Sequence, residues 1–328
     1  MMRFETKVRA LVAVLAVLLL AWGLGEFFAP ERVSRRSETV TLLSGKTAEV
    51  ARIDIAAGGS ALRLEKSGGQ WALADGADRL PVLTSRVDAL LSSLAKAGRK
   101  RPVASKKEAW AGLGLDEGKV RSLTLSDAAG KPLLELHAGN YGTTGSELYA
   151  RFGQGEASFT IDSTVSSWLS PDRSAWLDKR LWRTAVEAVA VQAVAVRADI
   201  SLVAEGKDAA KPPLRAAWRF ERSGQDWKGG QRLPDSVSVE SMLRALLNLE
   251  AVDLAARAPA DAFAKVAATV TLELGSGKSR LLEVGQPAGS GRFWARASED
   301  GKLLPLVFQL SSYSLGTFLK DESAFVKK

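Results

Sequence analysis

The sequence predicts an α+β protein: an N-terminal transmembrane helix followed by two tandem copies of an α+β unit with mainly antiparallel sheet. One observation is an uncharged apolar run from Ala10 to Gly25, and the other is a set of motifs that recurs 156 residues later. Hydrophobic residues make up 46% of the 328 positions, which is typical of globular domains. The expected divisions are an anchor (1–30), a juxtamembrane linker (31–46) and two repeats (47–182 and 183–328).

The first predicted element is a membrane-spanning helix over the apolar stretch from Val8 to Phe28. About 20 helical residues cross a hydrocarbon core of roughly 30 Å. Aromatic side chains near the end of the run fit a membrane interface. The side chains expected to form the anchor are Val8, Leu11, Leu15, Leu18, Leu19, Leu20 and Trp22.

A cleaved signal peptide is the alternative for this run. Its apolar region is normally about 7–15 residues long and is followed by an Ala-x-Ala pattern. The run here is longer, and "GEFFAPERV" offers no such pattern, so we favour an uncleaved anchor. Three basic residues precede the run and three follow it, but the first three lie closer, which favours placing residues 31–328 outside the cytoplasm.

Each repeat is predicted to begin with a hairpin. "EKSGGQW" (65–71) and "ERSGQDW" (221–227) share Glu, a basic residue, Ser, Gly and Trp at matching positions. Glycines between two polar strand ends predict a tight turn. We expect Trp71 and Trp227 to be core residues, with a surface platform for a sugar or a partner as the alternative.

An amphipathic helix is predicted after each hairpin, with an Ala-Leu-Leu motif at 89–91 and again at 245–247. The apolar residues recur with helical spacing, so each helix can bury one face. The predicted stripes are Leu83, Val87, Leu90, Leu91 and Leu94 in the first copy and Val239, Met242, Leu243, Leu246 and Leu247 in the second.

Several strands and a short helix complete each predicted copy. "LLELHAG" (133–139) matches "LLEVG" (281–285), and "LYARF" (148–152) matches "FWARA" (293–297). The copies differ mainly in loops, with inserts at "GLGLDEGK" in the first and "AEGKDAAKPPLR" in the second. Insertions confined to loops are what duplicated domains tolerate.

The sequence predicts no catalytic, cofactor-binding or metal-binding residue. There is no cysteine, and His137 is the only histidine, for which a structural or exposed position is the favoured interpretation. "SLAK" (93–96) lacks the partner motifs of the Ser-x-x-Lys enzymes. The glycines at 139–145 and 285–291 lack the spacing of a phosphate-binding loop and indicate paired hairpin turns.

The net charge is +8, and the densest basic cluster is "AGRKRPVASKK" (97–107). We find no nucleic-acid-binding motif around it and predict no nucleic-acid partner. A solvated basic loop is the favoured interpretation, and attraction to anionic lipid headgroups is the second.

The segment "WLSPDRSAWLDKRLWR" (168–183) joins the two copies and holds three of the nine tryptophans. Packing between the repeats is the favoured interpretation. The alternative is a partner-docking surface, because Trp and Arg are common interface anchors. The candidate docking residues are Trp176, Arg180, Trp182 and Arg183.

Together these features resemble a domain-of-unknown-function family of membrane-anchored bacterial proteins associated with gliding-motility-type ABC transporters. The resemblance is carried by the anchor, "GGQW", the Leu-rich helix, "GLGLD" (112–116), "LYARF" and "WLDKRL" (176–181). The second copy keeps "GQDW" and "FWAR" but lacks a clear Gly-Leu-Asp element. The resemblance implies a single-pass protein of the bacterial inner membrane, with most of the chain periplasmic, that assists an ABC-type permease or another envelope protein.

The leading functional hypothesis is therefore a non-enzymatic envelope accessory protein. An alternative is a module that binds glycan or peptidoglycan, which requires that at least one of four tryptophans be exposed in a groove: Trp110, Trp176, Trp182 and Trp294. An envelope hydrolase with an unrecognised site is a further alternative, which requires acidic residues from different segments to meet in a pocket.

Overall fold

The computed structural model describes residues 40–43, 45–202, 212–275 and 277–327. The predicted anchor, including Val8 and Trp22, lies outside this range. Within the described range, no helix has both the length and the apolar character needed to cross a bilayer.

The described chain forms two antiparallel sheets with few helices, so the fold is mainly β. The α+β prediction holds in part: the sheets are antiparallel as predicted, but among the described residues each unit has a single long helix beside eight or more strands. The strands of the first sheet are β1 (Val40–Thr41), β2 (Arg52–Ala57), β3 (Ser60–Ser67), β4 (Gln70–Asp75), β5 (Asp78–Pro81), β6 (Gly98–Ala104), β7 (Arg121–Ser126), β8 (Pro132–Tyr141), β9 (Glu147–Phe152) and β10 (Ser158–Asp162).

The second sheet has eight strands. They are β11 (Val191–Ile200), β12 (Leu214–Ser223), β13 (Asp226–Lys228), β14 (Asp253–Ala255), β15 (Ala268–Leu274), β16 (Ser279–Gly289), β17 (Arg292–Glu299) and β18 (Lys302–Ser311). The α-helices of the described range are α1 (Thr84–Lys96), α2 (Trp110–Leu113), α3 (Ser236–Leu247) and α4 (Ser312–Phe318).

The two sheets share one strand order. The first runs β1-β6-β10-β9-β8-β7-β2-β3-β4-β5, and the second, read in the same direction, runs β14-β18-β17-β16-β15-β11-β12-β13. If β1 and β5 are set aside, the strands correspond one to one along the chain. This common topology agrees with the repeated motifs. β1 lies in the stretch that the sequence analysis assigned to the linker.

The long helices bury the faces that the sequence predicts, with one exception. Val87, Leu90, Leu91 and Leu94 of α1 are buried, and all five stripe residues of α3 are buried. Leu83, predicted to belong to the first stripe, is the N-cap of α1 and is exposed. The buried apolar residues of both sheets form one connected core.

The repeated hairpins carry core tryptophans, as predicted. Trp71 and Trp227 are buried, and each lies opposite the basic residue of its motif across the hairpin. Arg222 stacks over the Trp227 ring at 4.5 Å, and Lys66 lies 6.0 Å from the Trp71 ring. The repeated basic residue therefore covers the ring of the repeated tryptophan.

Candidate functional site

The segment between the sheets, residues 173–182, pairs with both of them. On the side of the first sheet, the Leu83 amide donates to the Trp176 carbonyl at 2.9 Å and the Asp178 amide donates to the Pro81 carbonyl at 2.9 Å. On the other side, the Leu181 amide donates to Leu249 at 3.2 Å and the Ala251 amide donates to Lys179 at 2.8 Å. Residues 173–182, here called the join, thus tie the two units together through backbone hydrogen bonds.

Two of the candidate docking residues point into the core of the join. Trp176 is fully buried and Trp182 is 5% exposed. Trp176 lies 6.3 Å from Trp168, ring centre to ring centre, and the Arg86 guanidinium lies over it at 4.9 Å. These positions fit the packing interpretation, since both side chains are buried.

The other two candidates, Arg180 and Arg183, remain at the surface. Arg180 binds Asp178 with two hydrogen bonds, Nε to Oδ1 at 2.8 Å and Nη2 to Oδ2 at 2.6 Å. These bonds, above all, hold the pKa of Asp178 below its ordinary value. Arg183 is exposed and makes no ion pair within the described residues. Of the four candidate docking residues, Arg180 and Arg183 are therefore the two that are exposed for contact with a partner.

A cleft of about 630 Å³ opens just beyond the join. One wall is the chain from 184 to 190, and the opposite wall is formed by residues 274, 275 and 278–280 of the β15–β16 hairpin. Val189 on the first wall is 69% exposed. The charged side chains that line the cleft are Glu187, Lys278, Arg280, Glu299 and Asp300.

Arg280 is buried at the cleft, with 3% of its surface exposed. Its Nη2 donates to the Thr184 carbonyl at 2.6 Å and lies 3.0 Å from a Glu299 oxygen, as an ion pair. Its guanidinium stacks over Trp182 at 5.0 Å. Burial lowers the pKa of Arg280, and the nearby Glu299 charge opposes this. Nη1 has no hydrogen-bond partner among the described residues.

Sequence reasoning missed Arg280 because it matched the wrong positions in the two copies. Strand register pairs His137 with Arg151 and Glu283 with Arg296. If these two pairs are equivalent, His137 corresponds to Glu283. The "LLE" of the second copy (281–283) then corresponds to residues 135–137 of the first copy, two positions after the "LLE" at 133–135. Arg280 then takes the place of Leu134, a buried core position. The signal in the sequence is an arginine that shares a strand face with Leu282 and Val284.

The corrected register also changes the interpretation of the lone histidine. In the second unit, Arg296 binds Glu283 at 2.7 Å. In the first unit, the same two positions hold His137 and Arg151, so a cation faces the imidazole. Burial, followed by the charge of Arg151, lowers the pKa of His137. His137 is half-buried in the sheet, which fits the structural interpretation.

The remaining motifs have structural positions. The glycine stretches at 139–145 and 285–291 lie at the β8–β9 and β16–β17 hairpins, as predicted. Ser93 lies near the end of α1, where its carbonyl accepts the Ala97 amide at 2.8 Å. Over the residues that the structure describes, no group of three or more His, Asp or Glu is arranged to hold a metal ion.

Comparison with known proteins gives one match. A family model described as Domain of unknown function (DUF4340) matches residues 71–265. The matched region begins at the Trp71 of the first hairpin, crosses the join and ends within the second unit. Neither the curated proteins nor the solved structures compared with the chain give a match.

Proposed function

This chain belongs to the DUF4340 family, whose domain has no known function. We therefore propose a function from the features of the chain itself. It is a non-enzymatic accessory protein of the bacterial cell envelope, anchored in the inner membrane by its N-terminal segment. The observation that carries this proposal is the uncharged run from Ala10 to Gly25, which precedes a folded two-sheet body. An apolar run of that length matches the thickness of a bilayer.

The partner in this proposal is an ABC-type transport system in the same membrane. The resemblance to the family associated with gliding-motility-type ABC transporters supports it, as an argument by analogy. With the N-terminus in the cytoplasm, the two sheets lie on the periplasmic side. There they contact the permease or a second envelope protein.

The surface beside the join is where the partner binds in this proposal. Arg180 and Arg183 are exposed, and the cleft beyond them presents Val189 as an exposed apolar side chain. Arginines around an apolar patch are a composition typical of protein interfaces. The backbone pairing of the join holds Arg180 in a fixed position relative to both sheets, and Arg183 directly follows the join.

Crosslinking in native membranes, followed by purification in mild detergent and mass spectrometry, tests the proposal. We expect the permease and ATPase of one ABC system to be recovered with the native chain. Arg183→Glu combined with Val189→Asp should lower the recovery at least about tenfold, as expected for interface anchors. Lys302→Glu with Leu303→Asp, a matched exposed pair on β18, should leave it unchanged. Recovery of the crosslinked chain alone would contradict the proposal.

No observation favours the two alternatives strongly enough to propose them. Of the four tryptophans that the glycan-binding hypothesis needs, Trp110, Trp176 and Trp182 are buried and Trp294 is partly exposed. The hydrolase hypothesis needs converging acidic groups, and the cleft offers Glu187, Glu299 and Asp300. Two of them already have partners, because Glu299 is paired with Arg280 at 3.0 Å and Asp300 accepts the Ser279 amide at 2.9 Å.

A further inference from the structure

Strand β6, which lies beside the two-residue edge strand β1 of the first sheet, carries excess positive charge. Six basic residues and no acidic residue lie between Lys96 and Lys107, across the end of α1 and β6. Two of them are paired, Lys100 with Asp162 at 2.6 Å and Arg101 with Glu147 at 3.1 Å. In the part of the chain that the structure describes, the other four make no ion pair: Lys96, Arg99, Lys106 and Lys107.

Contacts with aromatic rings position two of these four cations without neutralising them. The Arg99 guanidinium lies 4.5 Å from the Phe159 ring, and the Lys107 ammonium lies 5.3 Å from the Trp110 ring. The first acidic residue after the run is Glu108. The segment 96–107, here called the basic edge, therefore keeps a positive charge exposed to solvent.

The fold places the basic edge where the chain arrives from its N-terminus. β6 pairs with β1, with Val40 opposite Arg99 and Thr41 opposite Gly98. Val40 follows the end of the apolar run, Phe28, by 12 residues. Twelve residues reach at most about 43 Å when fully extended. A membrane that holds the apolar run therefore stays within this distance of the basic edge.

We propose that the basic edge is a docking surface for the anionic lipid headgroups of the membrane that holds the N-terminal run. The inference rests on the proposed function, which supplies the anchor. A negative headgroup layer attracts lysine and arginine within about one Debye length, roughly 8–10 Å. Val40 and Val103, both exposed on the paired strands, add apolar contact with the same layer. Docking fixes the orientation of the first sheet above the bilayer.

The test uses the full chain reconstituted into vesicles. The chain has no cysteine, so Ser105→Cys places a single fluorophore beside the basic edge. With a quencher on the lipid headgroups, we expect about twofold stronger quenching when phosphatidylglycerol is added to phosphatidylcholine. The difference should vanish in 1 M salt, where the Debye length is about 3 Å. A label at Leu303→Cys, in the second unit, should show no lipid dependence.

Charge variants separate the basic edge from general charge effects. Changing Lys96, Arg99, Lys106 and Lys107 to Gln should abolish the lipid-dependent quenching. Changing four exposed cations of the second unit to Gln (Lys228, Arg232, Lys302 and Lys320) should preserve it. If the first variant is quenched like the native chain, the lipid docking is wrong. Binding of duplex DNA by the native chain without vesicles, together with quenching that does not depend on phosphatidylglycerol, would also overturn it, in favour of a nucleic-acid surface.

Different measurements test the proposed function and the lipid docking. Resistance of the reconstituted chain to carbonate extraction reports the anchor, whatever the charge of the basic edge. Extraction by carbonate would contradict the anchor and the proposed function. Retention without lipid-dependent quenching would contradict the docking alone.

Discussion

His137 is a pH-sensitive position in the fold, because burial and the Arg151 charge both disfavour its protonated form. It is the only histidine in the sequence, so its titration is measured without overlap by NMR. We expect a pKa below the ordinary value of 6.5. Arg151→Gln should raise it by removing the facing charge. A titration at or above 6.5 in the native chain would contradict the burial seen here.

The lowered pKa of His137 makes the fold less stable at acidic pH. The unfolded chain takes up the proton more readily than the folded chain, so folding is favoured above 6.5. This contribution is lost as the pH falls from 6.5 through the lowered pKa of the folded state. Urea unfolding of the native chain and of His137→Gln across this range should give a smaller loss of stability for the variant.

Glu240 binds both the basic residue and the tryptophan of the second hairpin motif. One of its oxygens accepts from Arg222 Nη2 at 2.6 Å and from Trp227 Nε1 at 3.1 Å. Glu240→Ala leaves both donors without this acceptor and should cost about 1–3 kcal/mol in the free energy of unfolding. The matched position in the first unit is Thr84, which is exposed. Thr84→Ala should change the stability little, and equal effects of the two changes would contradict the role given to Glu240.

At the scale of elements, two glycines let a covering segment cross the sheet. A Cβ added at Gly139 on β8 would overlap the Leu113 carbonyl oxygen, and one at Gly285 on β16 would overlap the Ala262 carbonyl oxygen. These glycines are equivalent in the corrected register. In each unit, the segment that follows β6 or β14 therefore packs directly against the backbone of the sheet, at Gly139 or Gly285.

Gly139→Ala should therefore destabilise the fold by about 1–3 kcal/mol, because backbone atoms must move apart. Gly316→Ala in α4 is the control, since a Cβ there meets open space. In a helix that change should be neutral or stabilise by up to about 1 kcal/mol. Chemical denaturation of both variants gives the comparison. A neutral Gly139→Ala would show that the covering segment is not held against β8.

Elements that follow from the local sequence pattern were predictable, whereas elements that depend on pairing between distant strands were not. Helical spacing gave the buried faces of α1 and α3, and the repeated motif gave the hairpins with Trp71 and Trp227. β1 is two residues long and forms only because β6 is beside it, so no periodicity marks it. The place of Arg280 required the strand register, since identical letters in "LLE" align two positions away.

The candidate site was predictable only in part for the same reason. The sequence drew attention to the join and to its tryptophans and arginines. Which of them face inward depends on backbone bonds to both sheets, and these bonds join residues 68 to 97 positions apart in the chain. Arg180 and Arg183 at the surface, and Trp176 and Trp182 in the core, are outcomes of that pairing.

At the scale of the whole molecule, the two sheets share a hydrophobic core through the join. We therefore expect the native chain to unfold in a single thermal transition. Trp176→Ala removes a fully buried ring from the join and should cost about 3–5 kcal/mol. Because the loss falls between the units, calorimetry of this variant should show two separate transitions.

Arg257→Ala is the control for this experiment. Arg257 also links the units, through an exposed ion pair with Asp78 at 3.9 Å, and such pairs contribute little. Thermal unfolding of the Arg257→Ala variant should remain a single transition, at the same temperature as that of the native chain. Two transitions in the native chain would show that the sheets are already independent.

The short strand β1 gives the molecule a mechanical property. A pull that reaches Val40 and Thr41 acts on their pairs with Arg99 and Gly98 of β6, at the edge of the sheet. At a sheet edge, pairs open one after another under tension, whereas β2 is held on both sides by β3 and β7. Release of β1 supplies about 7 Å of slack, at about 3.5 Å per residue, before the load reaches the interior of the sheet. Under tension applied at Val40, we therefore expect β1 to open before the interior of the sheet.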